Sequence, residues 1–163
     1  DVAIRFNEPK QPDLIQRHLG SLFGHIFASA DYLKEHGTPT CVEDLKGHKL
    51  VVFGGSALPF EEVNWHYDQV KETVREINPV LRVNSLYGVY RAVKSGIGIG
   101  ALPEYFYREG RGLVQILPEL NSPPIDAYFV YPEELRKSMR VIVFRDFLLK
   151  EITRTRANLG VVP

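Results

Sequence analysis

Leu81 to Tyr107 reads LRVNSLYGVYRAVKSGIGIGALPEYFY, and this run decides the fold. Its opening, Val80 to Val83, is short and aliphatic and stops at Asn84-Ser85, two residues whose side-chain oxygens suit the start of a helix. From Ser85 the apolar residues Leu86, Val89, Tyr90 and Val93 recur at helical spacing, and Lys94-Ser95-Gly96 supplies a basic last turn and a terminating glycine. A second strand, Ile97 to Leu102, closes at Pro103. Strand, helix, strand in this order predicts a parallel pair in one sheet joined by a crossover helix. Ligands of open α/β sheets sit where strands end and helices begin, because the first helical turn presents unpaired N–H groups and the positive end of the dipole. Asn84-Ser85 marks such a place, with Leu102-Pro103 at the end of the second strand. Gly96, Gly98 and Gly100 follow a helix and lack the G-x-G-x-x-G spacing, so they are not a dinucleotide loop. Glycines inside a strand instead predict close backbone approach.

Working outward, Asp1 to Phe6 (DVAIRF) reads as a buried strand, followed by a loop with Pro9 and Pro12. Leu14 to Leu19 leads into a second strand, Phe23 to Ala28, whose apolar character predicts cover on both faces. Ser29-Ala30-Asp31 caps a short helix, Tyr32 to His36, ending at Gly37. Cys41 to His48 is a helical turn before a strand, Lys49 to Phe53, and Gly54-Gly55-Ser56 follows directly. Glycines there either let N–H groups turn toward a ligand or simply form a loop. Val63 to Tyr67, Glu72 to Ile77 and Pro79 to Val83 alternate apolar and polar residues and predict an antiparallel or meandering ribbon carrying the single tryptophan, Trp65, which reads as a packing residue in preference to a ligand platform. Glu104 to Glu109 reads as a short helix, Leu113 to Ile116 and Ile125 to Tyr131 as strands, and Leu117 to Pro124 as a proline-rich crossing segment. A last helix opens at Ser138-Met139 with a stripe of Val141, Val143, Phe144, Phe147, Leu148 and Ile152, and Arg154 to Pro163 reads as a loose tail.

Composition narrows the function. Twenty basic residues balance 20 acidic ones at a pI near 7.2, so nothing resembles a duplex-binding surface. One cysteine, Cys41, allows no internal disulfide and no thiolate zinc cluster and fits a reducing compartment. No apolar run approaches the roughly twenty residues of a membrane span, and DVAIRF is not a signal peptide; the expectation is a cytoplasmic location. The five histidines are scattered without metal-ligand spacing, and Gly54-Gly55-Ser56-Ala57 lacks the closing glycine of a nucleophile elbow. The chain is therefore expected to be no enzyme and to carry no metal and no cofactor.

The phrase VNS, a helix, and then SGIGIGALPEY resembles the effector-binding domain of LysR-type transcriptional regulators, in which a G-x-G-x-x-x-x-P element follows the helix. ASADYLKEHG is similar to the Ser-Pro-x-Tyr-Leu phrase and glycine of that family, with Ala30 where proline is usual, and the E-D-L-x-x-H phrase from Glu43 to His48 is shared as well. The resemblance spans residues 1 to 152. It implies an α/β, two-lobed periplasmic-binding-protein-like (type 2) fold with the first lobe incomplete. Residues 1–21 and 125–163 would form lobe I and residues 22–124 lobe II. A winged helix-turn-helix upstream, absent from this sequence, would be the part that binds DNA. The implied partner is a small-molecule effector held between the lobes, and the implied assembly is a homodimer or homotetramer, with the Phe144, Phe147 and Leu148 stripe as a candidate contact.

Arg5 is the leading candidate for effector binding, since an inward guanidinium at the end of a buried strand needs a carboxylate. That carboxylate could belong to a ligand, or to Asp1 or an acid upstream. With Ser29, Gly54, Gly55, Ser56, Asn84, Ser85, Leu102 and Pro103 it would make a donor-rich site for a small carboxylate-bearing metabolite. A solute-binding protein of a transport system, built on the same fold, is the alternative.

Overall fold

The computed structural model describes residues 1–6, 8, 10–55, 61–73, 79–106 and 112–159. Two compact units divide the chain, Asp1–Ser21 with Asp126–Pro163, and Leu22–Ile125.

The 22–125 unit is built on β3 (Gly24–Ser29), β4 (Val51–Phe53), β5 (Leu81–Val83), β6 (Gly100–Pro103) and β7 (Leu113–Ile116). β4 and β5 are parallel, with Val51 opposite Leu81 and Phe53 opposite Val83. A parallel bridge between Leu50 and Ile99 carries the sheet on to β6, through Val51 N–H to the Ile99 carbonyl at 2.8 Å and Ile99 N–H to the Lys49 carbonyl at 2.8 Å. β3 then pairs antiparallel with β6 and with β7. The order is β5-β4-β6-β3-β7, so the strands flanking α3 (Leu86–Lys94) run parallel as expected, with β4 between them.

Both faces of this sheet are covered. Val89, Tyr90 and Val93 of α3 pack with Phe27, Val51 and Leu102 on one side. On the other, α1 (Ala30–His36), a 3-10 turn at Val42–Gly47 and α2 (Trp65–Thr73) place Tyr32, Leu45, Trp65 and Val70 against Ile26, Leu50, Val52 and Ile99. Gly88 lets α3 approach β5, because a Cβ there would lie 2.4 Å from Val83 Cγ1. Ser29 begins α1 with its hydroxyl accepting from Tyr32 N–H at 3.1 Å, and Gly37 at φ 85° ends it. Ser29→Ala should cost about 1 kcal/mol in a urea titration, the usual worth of a helix cap; an unchanged midpoint would show that the cap contributes nothing.

In the other unit, β1 (Ala3–Arg5), β8 (Ile125–Pro132) and β2 (Leu14–Leu22) form a sheet in the order β1-β8-β2. The last helix, α4 (Met139–Leu159), contributes Val141, Leu148, Leu149 and Ile152 to a core with Leu19, Ala127, Phe129 and Tyr131.

Four expectations are corrected. Val63 to Tyr67 is not a strand but a 3-10 turn, Glu61–Asn64, running into α2. Val63, His66, Tyr67 and Val70 are all buried, which is helical spacing, and counting His66 as polar had produced a false alternation. The chain from 74 to 78 lies outside the described residues, and β5 is parallel to β4 rather than part of an antiparallel ribbon. β1 is exposed at Ala3, Ile4 and Arg5 rather than buried. Finally, α4 continues through Leu159, so Arg154 to Leu159 is helix and not tail. Of the helix expected over Glu104 to Glu109, residues 107–109 lie outside the described set.

Candidate functional site

The parallel strands β5, β4 and β6 end on the same side of their sheet, and most of the sequence-predicted residues collect there. Phe53 opposite Val83 sets Gly54 beside Asn84, and Gly54 N–H donates to the Val83 carbonyl at 2.9 Å. A Cβ on Gly54 would meet Arg82 Cβ at 2.7 Å, so glycine here permits close packing of the two strand ends. Asn84 and Ser85 are exposed, and the Ser85 hydroxyl accepts from Gly88 N–H at 3.4 Å to cap α3. The nine-residue α3 thus presents its first turn and the positive end of its dipole beside these residues. Leu102 and Pro103 complete β6 at the same end, paired with His25 and Gly24 of β3. Gly55 follows Gly54 and is exposed, while Ser56 lies outside the described residues.

Ser29 is not brought to this group. It closes β3 at the end opposite Gly24, about 16 Å away at the usual rise per strand residue. Its hydroxyl is buried and engaged as the α1 cap. Arg5 belongs to the other unit, where it is exposed and donates to Gln11 Oε1 at 3.4 Å. An exposed guanidinium carries no burial cost, so the argument that it must find a buried carboxylate does not apply.

Asn64 escaped the sequence reading, and Trp65 was weighed there chiefly as packing. Asn64 clamps the end of β4, its Oδ1 accepting from Phe53 N–H and its Nδ2 donating to the Phe53 carbonyl, both at 2.9 Å. Trp65 lines a recess with Gly24, Val63, Leu86, Leu102, Pro103 and Ile125 at this same end of the sheet. The signal for both was the helical spacing hidden by His66.

The described residues offer no catalytic arrangement. Ser21, His18 and Asp126 cluster in the 1–21/126–163 unit, but both Ser21 Oγ and His18 Nε2 are bonded to Asp126 Oδ1, so the carboxylate stands between hydroxyl and imidazole. A serine nucleophile needs its hydroxyl on the base itself. The Ser21 hydroxyl, with His18 beside it, holds the Asp126 carboxyl below the usual range. Among the described residues no group of three or more His, Cys, Asp or Glu side chains is placed to hold a metal ion. No helix among them is long and apolar enough to cross a membrane.

Residues 1–153 match the LysR substrate binding domain. The chain belongs to that family. It is 30% identical over 159 residues to the HTH-type transcriptional regulator CrgA of Neisseria meningitidis serogroup C, covering 93% of this chain and 51% of the regulator. An uncharacterized HTH-type transcriptional regulator of Haemophilus influenzae is 27% identical over 146 residues, covering 86% of this chain and 49% of the relative. The structure of the CrgA regulatory domain superposes with a TM-score of 0.71 at 27% identity, covering 93% of this chain and 75% of that domain. The regulatory domain of AphB from Vibrio vulnificus gives 0.64 at 27% identity, covering 93% and 75%. The chain spans about half the length of the curated relatives it matches. The LysR substrate-binding domain is thus a regulatory, effector-binding domain of the two-lobed periplasmic-binding-protein-like class, as the resemblance of its VNS and GIGIGALPEY phrases implied, and its curated relatives are transcriptional regulators.

Proposed function

We propose that this LysR substrate-binding domain senses a small carboxylate-bearing effector in the cytoplasm and passes the signal, within a homodimer or homotetramer, to a winged helix-turn-helix on the same polypeptide. The observation that carries the reading is the family match over residues 1–153, joined to a local one. The α3 N-terminus, Gly54, Asn84 and Ser85 gather at the carboxyl ends of parallel strands, the position at which sheets of this kind hold anionic groups. Gly55, Ser56, Leu102 and Pro103 extend the proposed site, Arg5 is kept as a proposed effector contact, and Ser29 serves it through α1. An effector acts by binding one state of the regulator more tightly than another, and its differential affinity sets how far DNA binding can shift. Phe144 and Phe147 on α4 are exposed and are the proposed subunit contact; Leu148 of the same stripe turns toward the core. The neutral balance of 20 basic and 20 acidic residues supports leaving DNA contact to another part of the polypeptide.

A thermal-shift screen of the chain against small carboxylic acids tests the reading. An effector at 100 times its dissociation constant should stabilise the fold by about 2.7 kcal/mol. The same acid should change the affinity of the full-length regulator for its operator. A stabilising acid that leaves operator binding unchanged would defeat the regulatory reading, and Arg5→Ala with undiminished affinity would remove Arg5 from the site.

A further inference from the structure

The recess at the end of β6 contains a polar group that no other described residue uses. Trp65 is 6% exposed, and its indole Nε1 is fully buried without a hydrogen-bond partner. The neighbouring hydroxyl is engaged in both directions: Ser122 Oγ accepts from Gly24 N–H at 2.7 Å and donates to the Pro123 carbonyl at 2.7 Å. A Cβ placed on Gly24 would come within 2.9 Å of Nε1, so glycine at 24 keeps the space beside this donor free. Among the described residues the rest of the lining is Val63, Leu86, Ala101, Leu102, Pro103 and Ile125, none of them charged. The recess is open to solvent, and as it stands its free volume is about 10 Å³, no more than one water-sized group needs. Leu86 is the first residue of α3, which places the recess next to the proposed anion-binding turn.

Indole N–H donates and never accepts, so its partner must be an acceptor. With no charged side chain among the described residues of the lining, a carboxylate here would be stripped of water without a counter-charge from them, whereas a carbonyl or hydroxyl oxygen loses far less. An unpaired buried donor is costly, and a ligand that satisfies it gains the difference. We propose that the Trp65 indole N–H is a specificity-determining donor that donates to one uncharged carbonyl or hydroxyl oxygen of the effector placed in its recess, while any carboxylate of the same molecule stays at the α3 N-terminus. This inference rests on the effector-sensing reading and sharpens it: the effector carries a neutral acceptor as well as an anion.

Trp65 is the only tryptophan, so a ¹⁵N-labelled chain gives a single indole resonance. Titrating that chain with propionamide and with benzamide should move the indole proton downfield saturably, and benzoate should do so at least tenfold more weakly. Trp65→Phe, which keeps an aromatic ring and removes the donor, should lose at least tenfold in amide affinity as read by thermal shift. Gly24→Ala keeps the indole signal as a witness of folding and should lose the amide response, because its methyl group occupies the space beside Nε1. An indole proton that ignores both amides, that answers benzoate equally, or that shows only contact with a trapped water overturns the inference, as does undiminished amide binding in Trp65→Phe. The effector reading fails by a different result, an unaltered operator affinity, so the two are separable.

Discussion

Gly98→Ala should be among the most damaging single changes in the chain, lowering stability by about 3–5 kcal/mol. Gly98 precedes the Leu50–Ile99 bridge that joins the two halves of the five-stranded sheet. A Cβ on it would stand 2.2 Å from the Lys49 carbonyl oxygen and 2.9 Å from its carbon, both rigid backbone atoms. That same oxygen accepts the 2.8 Å bond from Ile99 N–H, and the Ile99 carbonyl in turn accepts from Val51 N–H. The methyl group cannot be accommodated by turning a side chain, so the strands must separate. Overpacking of this kind costs about 1–3 kcal/mol or more, and each of the two buried bonds lost adds about 1 kcal/mol. Urea unfolding followed by Trp65 fluorescence reports on the unit that contains this bridge. Gly47→Ala is the control, because nothing lies within 4 Å of a Cβ there, and it should change stability by no more than about 0.5 kcal/mol. Equal midpoints for wild type and Gly98→Ala would refute the close-approach account.

How far the fold was legible follows from which interactions are local. The strand, cap and helix of 81–94 could be read because Ser85 caps within three residues and Val89, Tyr90 and Val93 repeat along one face. Gly98 could be assigned to close backbone approach from its place in a strand, although the partner, Lys49, could not be named. The α2 region was misread because a buried histidine looks polar in a sequence. His66 is 1% exposed, and with it counted as a core residue the helical period appears. Burial of β1 was misjudged for a different reason: alternation in DVAIRF shows which side chains share a face, but cover depends on what packs there. The site was legible where it depends on strand order. Asn84, Ser85, Leu102 and Pro103 mark strand ends that a parallel sheet must align, and Gly54 joins them through the Phe53–Val83 register. The place of Trp65 in the recess was not legible, because it depends on the bonds by which the preceding residue, Asn64, is fastened to Phe53 at the end of β4.

Acidification should then destabilise the 22–125 unit through His66 well before ordinary acid unfolding. Its imidazole is completely buried, and burial pushes its pKa down from 6.5 to about 4, against a small opposing contribution from the Val51 carbonyl. Nε2 lies 3.3 Å from that carbonyl oxygen and so carries the proton, while Nδ1 has no partner. The neutral form is therefore the one the fold accepts, and the unfolded chain binds a proton more readily than the folded one. Stability from this group is complete above pH 6.5, falls as pH drops toward 4, and is gone below that. A difference of about 2.5 between the two values corresponds to about 3 kcal/mol, lost at up to about 1.4 kcal/mol per pH unit. His48 shifts in the same direction for the same chief reason and adds to the slope, whereas Glu43, Asp44 and Asp126 have lowered values and act mainly below this window. Urea midpoints measured between pH 7.5 and 4.5 should decline steadily in the wild type. His66→Gln keeps an N–H for the Val51 carbonyl and cannot titrate, so its decline should be much shallower whatever its absolute stability. A parallel decline in both proteins would show that His66 is not the group responsible, and that its burial is relieved before it must take up a proton.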